Sequence, residues 1–118
     1  MKKNSISIVF LALISCSKPG EGPRYGKAKV EAEQVVYAIA DYKVKNGGVP
    51  KRLENLSSKN FESNRLPSSI KMGDKRFFYK VEDSAKFTFI FSYAGPGKNY
   101  CEYMGDLSEH KWDCWGVY

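Results

Sequence analysis

The spacing of hydrophobic and polar positions changes character several times along the 118-residue chain. Ile6 to Ile14 is an apolar run broken only by Ser7, and Ser17 to Gly26 (SKPGEGPRYG) is a Gly- and Pro-rich polar stretch without a period. From there Ala28, Ala32, Val35, Val36, Ile39 and Tyr42 recur every three or four residues, one stripe of a 3.6-residue period, with Lys29, Glu33, Asp41 and Lys43 largely off it. The stripe predicts a helix from about Tyr25 to Asn46. Asn46-Gly47-Gly48 accepts the left-handed backbone that ends helices, and Lys43 and Lys45 suit the negative end of the helix dipole. Pro50 then sets up a one-turn helix whose Leu53 and Leu56 pack back on the first.

Ser57 to Asp74 is polar and loop-like, with Phe61, Leu66 and Ile70 as its expected core anchors. From Phe77 the period becomes two. Phe77, Tyr79 and Val81 alternate with Phe78, Lys80 and Glu82; after a turn at Glu82–Ala85, Phe87, Phe89, Phe91 and Tyr93 alternate with Thr88, Ile90 and Ser92. Alternation rich in aromatic and β-branched residues reads as a strand hairpin. Gly95-Pro96-Gly97 breaks the second strand, and Asn99–Met104 and Lys111–Val117 read as two more strands around a turn at Gly105–His110. The expected fold is α+β, one long helix across a four-stranded antiparallel meander with the Phe87/Phe89/Phe91 face beneath it.

The N-terminal run is too short for a bilayer-spanning helix, which needs about 20 residues. With Lys2 and Lys3 before it, it has the layout of a secretory signal. It ends in Leu13-Ile14-Ser15-Cys16, which resembles the lipobox of bacterial lipoproteins. That resemblance implies a signal peptide over 1–15, acylation at Cys16 (palmitate among the chains) and a membrane attachment through lipid. More than one acyl chain makes such an anchor stable. Ser17 stands where Asp would imply inner-membrane retention in that family, so the implied location is the outer membrane, on its periplasmic or surface side. Residues 16–26 are then a flexible tether, and 27–118 the globular domain.

The helix end followed by a Pro-led turn, carried by Tyr42, Asn46, Gly47, Gly48, Pro50, Leu53 and Leu56, resembles the type IV pilin and type II secretion pseudopilin family. The resemblance implies a pilin-like globular domain. The chain departs from that family at its N-terminus: it lacks the Gly-Phe or Gly-Met cleavage signature with a Glu five residues on, and its apolar segment would be discarded. Polymerisation is therefore not implied.

Nineteen basic against thirteen acidic residues give a net charge of +6. Loss of Lys2 and Lys3 with the signal makes the excess mild. Lys27, Lys29, Lys43, Lys45, Lys51 and Arg52 read as a solvated face, with contact to anionic headgroups the alternative. A nucleic-acid partner does not fit an exported lipoprotein. With Cys16 lipidated, Cys101 and Cys114 remain, and an even pair in an exported chain implies a disulfide. Closing that loop is worth about 3 kcal/mol. Many type IV pilins close a C-terminal loop in the same way. A metal pair with His110 is the weaker alternative.

Candidate chemistry is sparse. His110 is the single histidine, in a turn with Asp106 and Glu109. A nucleophile would have only this base. Asp106, Glu109 and Asp113 are a possible calcium set without an established spacing, and Glu102 with Asp113 is a carboxylate pair whose use depends on geometry. Neither an enzyme nor a cofactor is expected. Trp112, Trp115, Tyr100, Tyr103 and Tyr118 gather at the C-terminus; half should face the core, and the exposed half offers a partner surface, with Tyr103, Trp112, Trp115 and Tyr118 as candidates. The expected role is a non-catalytic interaction or assembly module at a pilus or type II secretion machine; the alternative is a periplasmic inhibitor or ligand-binding lipoprotein.

Overall fold

Five residues of the helical stripe, Ala28, Ala32, Val35, Val36 and Ile39, are buried on one face of α1 (Gly22–Asn46). The computed structural model describes residues 18–61, 73, 75–95 and 97–117. The proposed signal, Cys16, Leu66, Ile70 and Tyr118 lie outside these. α1 ends as expected: Gly47 takes φ 82°, and its N–H reaches the Lys43 carbonyl at 2.8 Å. Its start differs. The helix begins at Gly22, three residues before Tyr25, and takes in part of the expected tether. Pro23 lies in the first turn, where a missing N–H costs nothing. Lys18–Glu21 form a turn closed by Glu21 N–H on the Lys18 carbonyl, and Gly20 N–H donates to the Tyr93 hydroxyl at 2.9 Å. These contacts close the Lys18–Glu21 turn and tie Gly20 to β2.

After α1 the chain doubles back through single 3₁₀ turns at Leu53–Asn55 and Ser58–Asn60. Leu53, Leu56 and Phe61 are buried with Val49 under the helix. Tyr79 donates its hydroxyl to the Pro50 carbonyl at 2.6 Å. Val49 N–H reaches the Ser84 carbonyl at 3.0 Å, which ties the helix exit to the first hairpin turn.

The sheet comprises β1 (Phe77–Val81), β2 (Phe87–Ala94), β3 (Lys98–Tyr103) and β4 (Trp112–Val117), antiparallel and in chain order. The helix lies across one face, an α+β architecture of two layers. Phe89 and Phe91 are fully buried beneath it, with Cys101 and Tyr103 beside them. Cys101 and Cys114 face each other across β3 and β4 and form a disulfide. Buried Glu31 sits on the helix's core side and pairs with Arg76 at 2.8 Å, just before β1.

Alternation sends the other residues outward. Registered rows on the far face are Phe78–Ile90–Glu102–Asp113, then Ser92–Tyr100–Trp115, then Ala94–Lys98–Val117. Phe78 is 54% exposed and Val117 55%. Ile90, on an interior strand, is only half-buried; no element among the described residues covers this face.

Candidate interaction surface

The period of two separates the C-terminal aromatics. Trp112 and Trp115 are an odd number of residues apart on β4, so they project to opposite faces. Trp112 turns toward the helix, edge-on to Phe91 with centroids 4.9 Å apart, and its indole N–H donates to Glu33 Oε2 at 3.1 Å. Tyr103 is also on the helix side, buried against Trp112 and Phe87. Its hydroxyl accepts from Leu107 N–H and donates to the Glu109 carbonyl. These two residues thus belong to the core and the loop it supports. Trp115 remains on the outer face, stacked on Tyr100 with centroids 5.7 Å apart and planes 22° apart. Tyr118 and the lipidation candidate Cys16 lie outside the described residues.

Tyr100 and Trp115 lie in the row next to Glu102 and Asp113, which are direct cross-strand neighbours. Phe78, Ile90 and Val117 extend the patch. The outer face therefore combines apolar area, two stacked rings and two adjacent carboxylates, with Lys80 and Lys98 at separate positions toward its ends. The sheet carries these carboxylates on an open surface rather than in a cleft that would exclude water. Sequence reasoning placed the aromatics but not this grouping. Glu33 was also missed as an anchor. Glu31 carried a signal: it lies between Ala28 and Val35 on the apolar stripe, where an acidic side chain needs a partner.

Around His110 the neighbours are the helix and its own loop. Its Nδ1 lies 3.7 Å from Glu33 Oε2, and its ring is edge-on to Tyr103. Asp106 accepts from the Ser108 hydroxyl and N–H, which hold its carboxyl below the usual range. Burial pushes the Tyr103 and Tyr79 hydroxyls upward. Among the described residues no three His, Cys, Asp or Glu side chains are grouped to hold a metal. Among the described residues, shallow grooves occur elsewhere. One of about 410 Å³ lies at the start of α1, lined by Lys18, Glu21, Arg24, Tyr93 and Asn99. Another, about 310 Å³, is lined by Lys51, Arg52, Glu54, Lys75 and Phe78. Neither contains His110.

Among the described residues no helix is long and apolar enough to cross a membrane. The fold defines a two-layer α+β domain with a meander sheet. No family model, curated protein or solved structure matches the chain.

Proposed function

We propose that this chain is a lipoprotein held at the outer membrane through Cys16, with a pilin-like globular domain that serves as a non-catalytic interaction or assembly module at a pilus or type II secretion machine. The observation that carries the interaction role is the sheet face that no described element covers, where Phe78, Tyr100, Trp115 and Val117 leave apolar and aromatic surface exposed. Aromatic side chains in such patches are the usual anchors of partner binding. The lipobox resemblance supports the anchor, and the helix-turn motif supports the assembly context.

Photo-crosslinking in cells from position 115, with the partners identified by mass spectrometry, tests the role. Capture of pilus or secretion components, lost from a crosslinker placed at Val44 on the opposite helix face, is the expected result. Capture from both positions alike would refute a dedicated sheet-face surface. Labelled palmitate should enter the protein and fail to enter Cys16→Ala.

A second reading has one observation in its favour. The Met104–Lys111 loop is polar and braced by the Tyr103 hydroxyl and the Asp106 turn. A stiff, exposed loop is what an inhibitor inserts into a foreign site. Crosslinks from Ser108 to a single periplasmic hydrolase would favour that reading.

A further inference from the structure

β4 ends the strand order, so among the described residues one side of it has no neighbouring strand; the Lys18–Glu21 turn approaches only its helix-side face, with Gly20 beside the Cys114 side chain. The Cα atoms of Cys101 and Cys114 are 4.1 Å apart, the spacing of a narrow, non-hydrogen-bonded pair in an antiparallel ladder. Backbone bonds to β3 therefore fall on Asp113, Trp115 and Val117. Met104 N–H on the Lys111 carbonyl continues the same phase. The N–H and C=O groups of Trp112, Cys114 and Gly116 point out of the open edge, and no backbone group among the described residues pairs with them. Natural edges are commonly blunted by Lys or Pro. β4 (WDCWGV) has neither, whereas β1, the other edge, is shorter and carries Lys80.

The outer face beside this edge holds an unresolved repulsion. Glu102 and Asp113 stand directly opposite each other, an arrangement that destabilises a ladder. Neither carboxylate has an ion-pair or hydrogen-bond partner among the described residues. The next row is the Tyr100–Trp115 stack. Carboxylates next to aromatic rings suit a guanidinium or ammonium group, which pairs with the first and packs on the second. A sugar chain fits less well, because the two rings cover each other's faces instead of lying side by side as a platform. A second β4 would bring Asp113, Trp115 and Val117 to this face with a single cation, Lys111, at the strand's start, so it would add a carboxylate for the one positive charge it supplies.

We infer that the open edge of β4 receives an extended segment of a protein partner with Arg or Lys at alternate positions. The segment adds a fifth strand on Trp112, Cys114 and Gly116, and its cations reach over the outer face to Glu102 and Asp113. Main-chain bonds supply affinity, and the alternate side chains supply specificity. The inference rests on the outer-face reading above and specifies the partner's chemistry.

The test uses the full-length protein and a capped peptide alternating Arg with Val, with Glu in place of Arg as the control. Binding is followed by Trp fluorescence, and amide protection by hydrogen exchange. The Arg peptide should protect the amides of Trp112, Cys114 and Gly116 and should weaken with salt. The Glu peptide should not bind. Glu102→Gln with Asp113→Asn should lower affinity about tenfold, yet raise Tm by a few degrees by removing the repulsion. Gly116→Pro deletes one outward N–H without touching a ladder bond and should also weaken binding.

Protection elsewhere, affinity unchanged by the double variant, or amides already protected in the free protein would overturn the inference. So would saturable binding of soluble polysaccharide fragments at Trp115 without the Arg peptide. Crosslinks from position 115 without edge protection would defeat strand addition and leave the interaction role standing. Edge protection by peptide without cellular crosslinks would defeat the assembly role alone.

Discussion

The indole N–H of Trp112 on β4 donates to Glu33 Oε2 on α1 at 3.1 Å, joining positions 79 residues apart. The same carboxylate lies 3.7 Å from His110 and 3.9 Å from Lys29. It connects the sheet's last strand, the loop before it and the helix. Bonds to a charged group contribute about 1.5–3 kcal/mol when well desolvated. The Glu33 side chain is 32% exposed, which puts this one at the lower end. Trp112→Phe keeps the ring and should cost about 1–2 kcal/mol in urea unfolding. Trp112→Ala loses the packing on Phe89 and Phe91 as well and should cost about 3–5 kcal/mol. Equal losses in the two variants would mean that the bond, not the ring, holds the strand.

The Cys101–Cys114 disulfide closes a C-terminal loop with a sequence separation of 13. Reduction, or the paired change to Ser, should lower stability by about 3 kcal/mol in the chain-entropy account. The loss should fall mainly on β4, seen as faster hydrogen exchange there. A uniform loss across the sheet would show that β4 is held by its packing alone.

Glu31 and Arg76 are a half-buried pair between the helix and the start of β1. Removing one partner of a fully enclosed pair costs about 3–5 kcal/mol. Arg76 is 37% exposed on its side chain, so Glu31→Leu should cost less, about 1–3 kcal/mol. Adding Arg76→Met should recover part of that loss. A double-mutant cycle with no coupling would show that the two act independently.

Gly105 admits no side chain. A Cβ there would overlap the Glu109 carbonyl and crowd the Tyr103 ring and hydroxyl. Gly105→Ala should displace the β3–β4 loop and cost about 1–3 kcal/mol, the range for overpacking. In a thermal melt its Tm should fall well below that of Gly26→Ala, whose Cβ meets nothing within 4 Å.

Stability should fall at both ends of the pH scale. Asp83 accepts from Ala85 and Lys86 N–H, and Asp41 from Asn60 and Lys45; these bonds hold both carboxyls below the usual range. The folded state therefore binds their protons less readily than the unfolded chain. Their contribution is present above a pH of about 4 and lost as pH falls through the folded values. Tyr103 and Tyr79 are shifted upward, by burial first. Their contribution is intact below about pH 10 and lost as pH rises through the folded values. Asp83→Asn keeps an acceptor without a titration and should flatten part of the acid limb in urea midpoints taken across pH. An unaltered limb would exclude Asp83 as a contributor.

What the sequence determined by itself is what is settled within a few residues of chain. The 3.6-residue stripe marked the buried face of α1, Asn46-Gly47-Gly48 marked its end, and alternation marked four strands, their turns and the Phe87/Phe89/Phe91 core face. Helix and strand periods express steric and burial preferences that repeat locally, so they can be read in order along the chain. The helix start was less legible, because Gly22–Gly26 has no stripe; it is fixed by Pro23 and by the Gly20–Tyr93 bond across 73 residues.

Only the tertiary structure decided how those elements meet. Alternation implied that Trp112 and Trp115 part company, but which of them meets the helix depends on where α1 lies. Glu33 became an anchor because packing brought Trp112 and His110 to it. Glu102 and Asp113 became neighbours because the β3–β4 register places them opposite each other, and Tyr100 came to stack on Trp115 for the same reason. Such contacts join residues distant in sequence, and their energies depend on burial and register that exist only after the layers have closed.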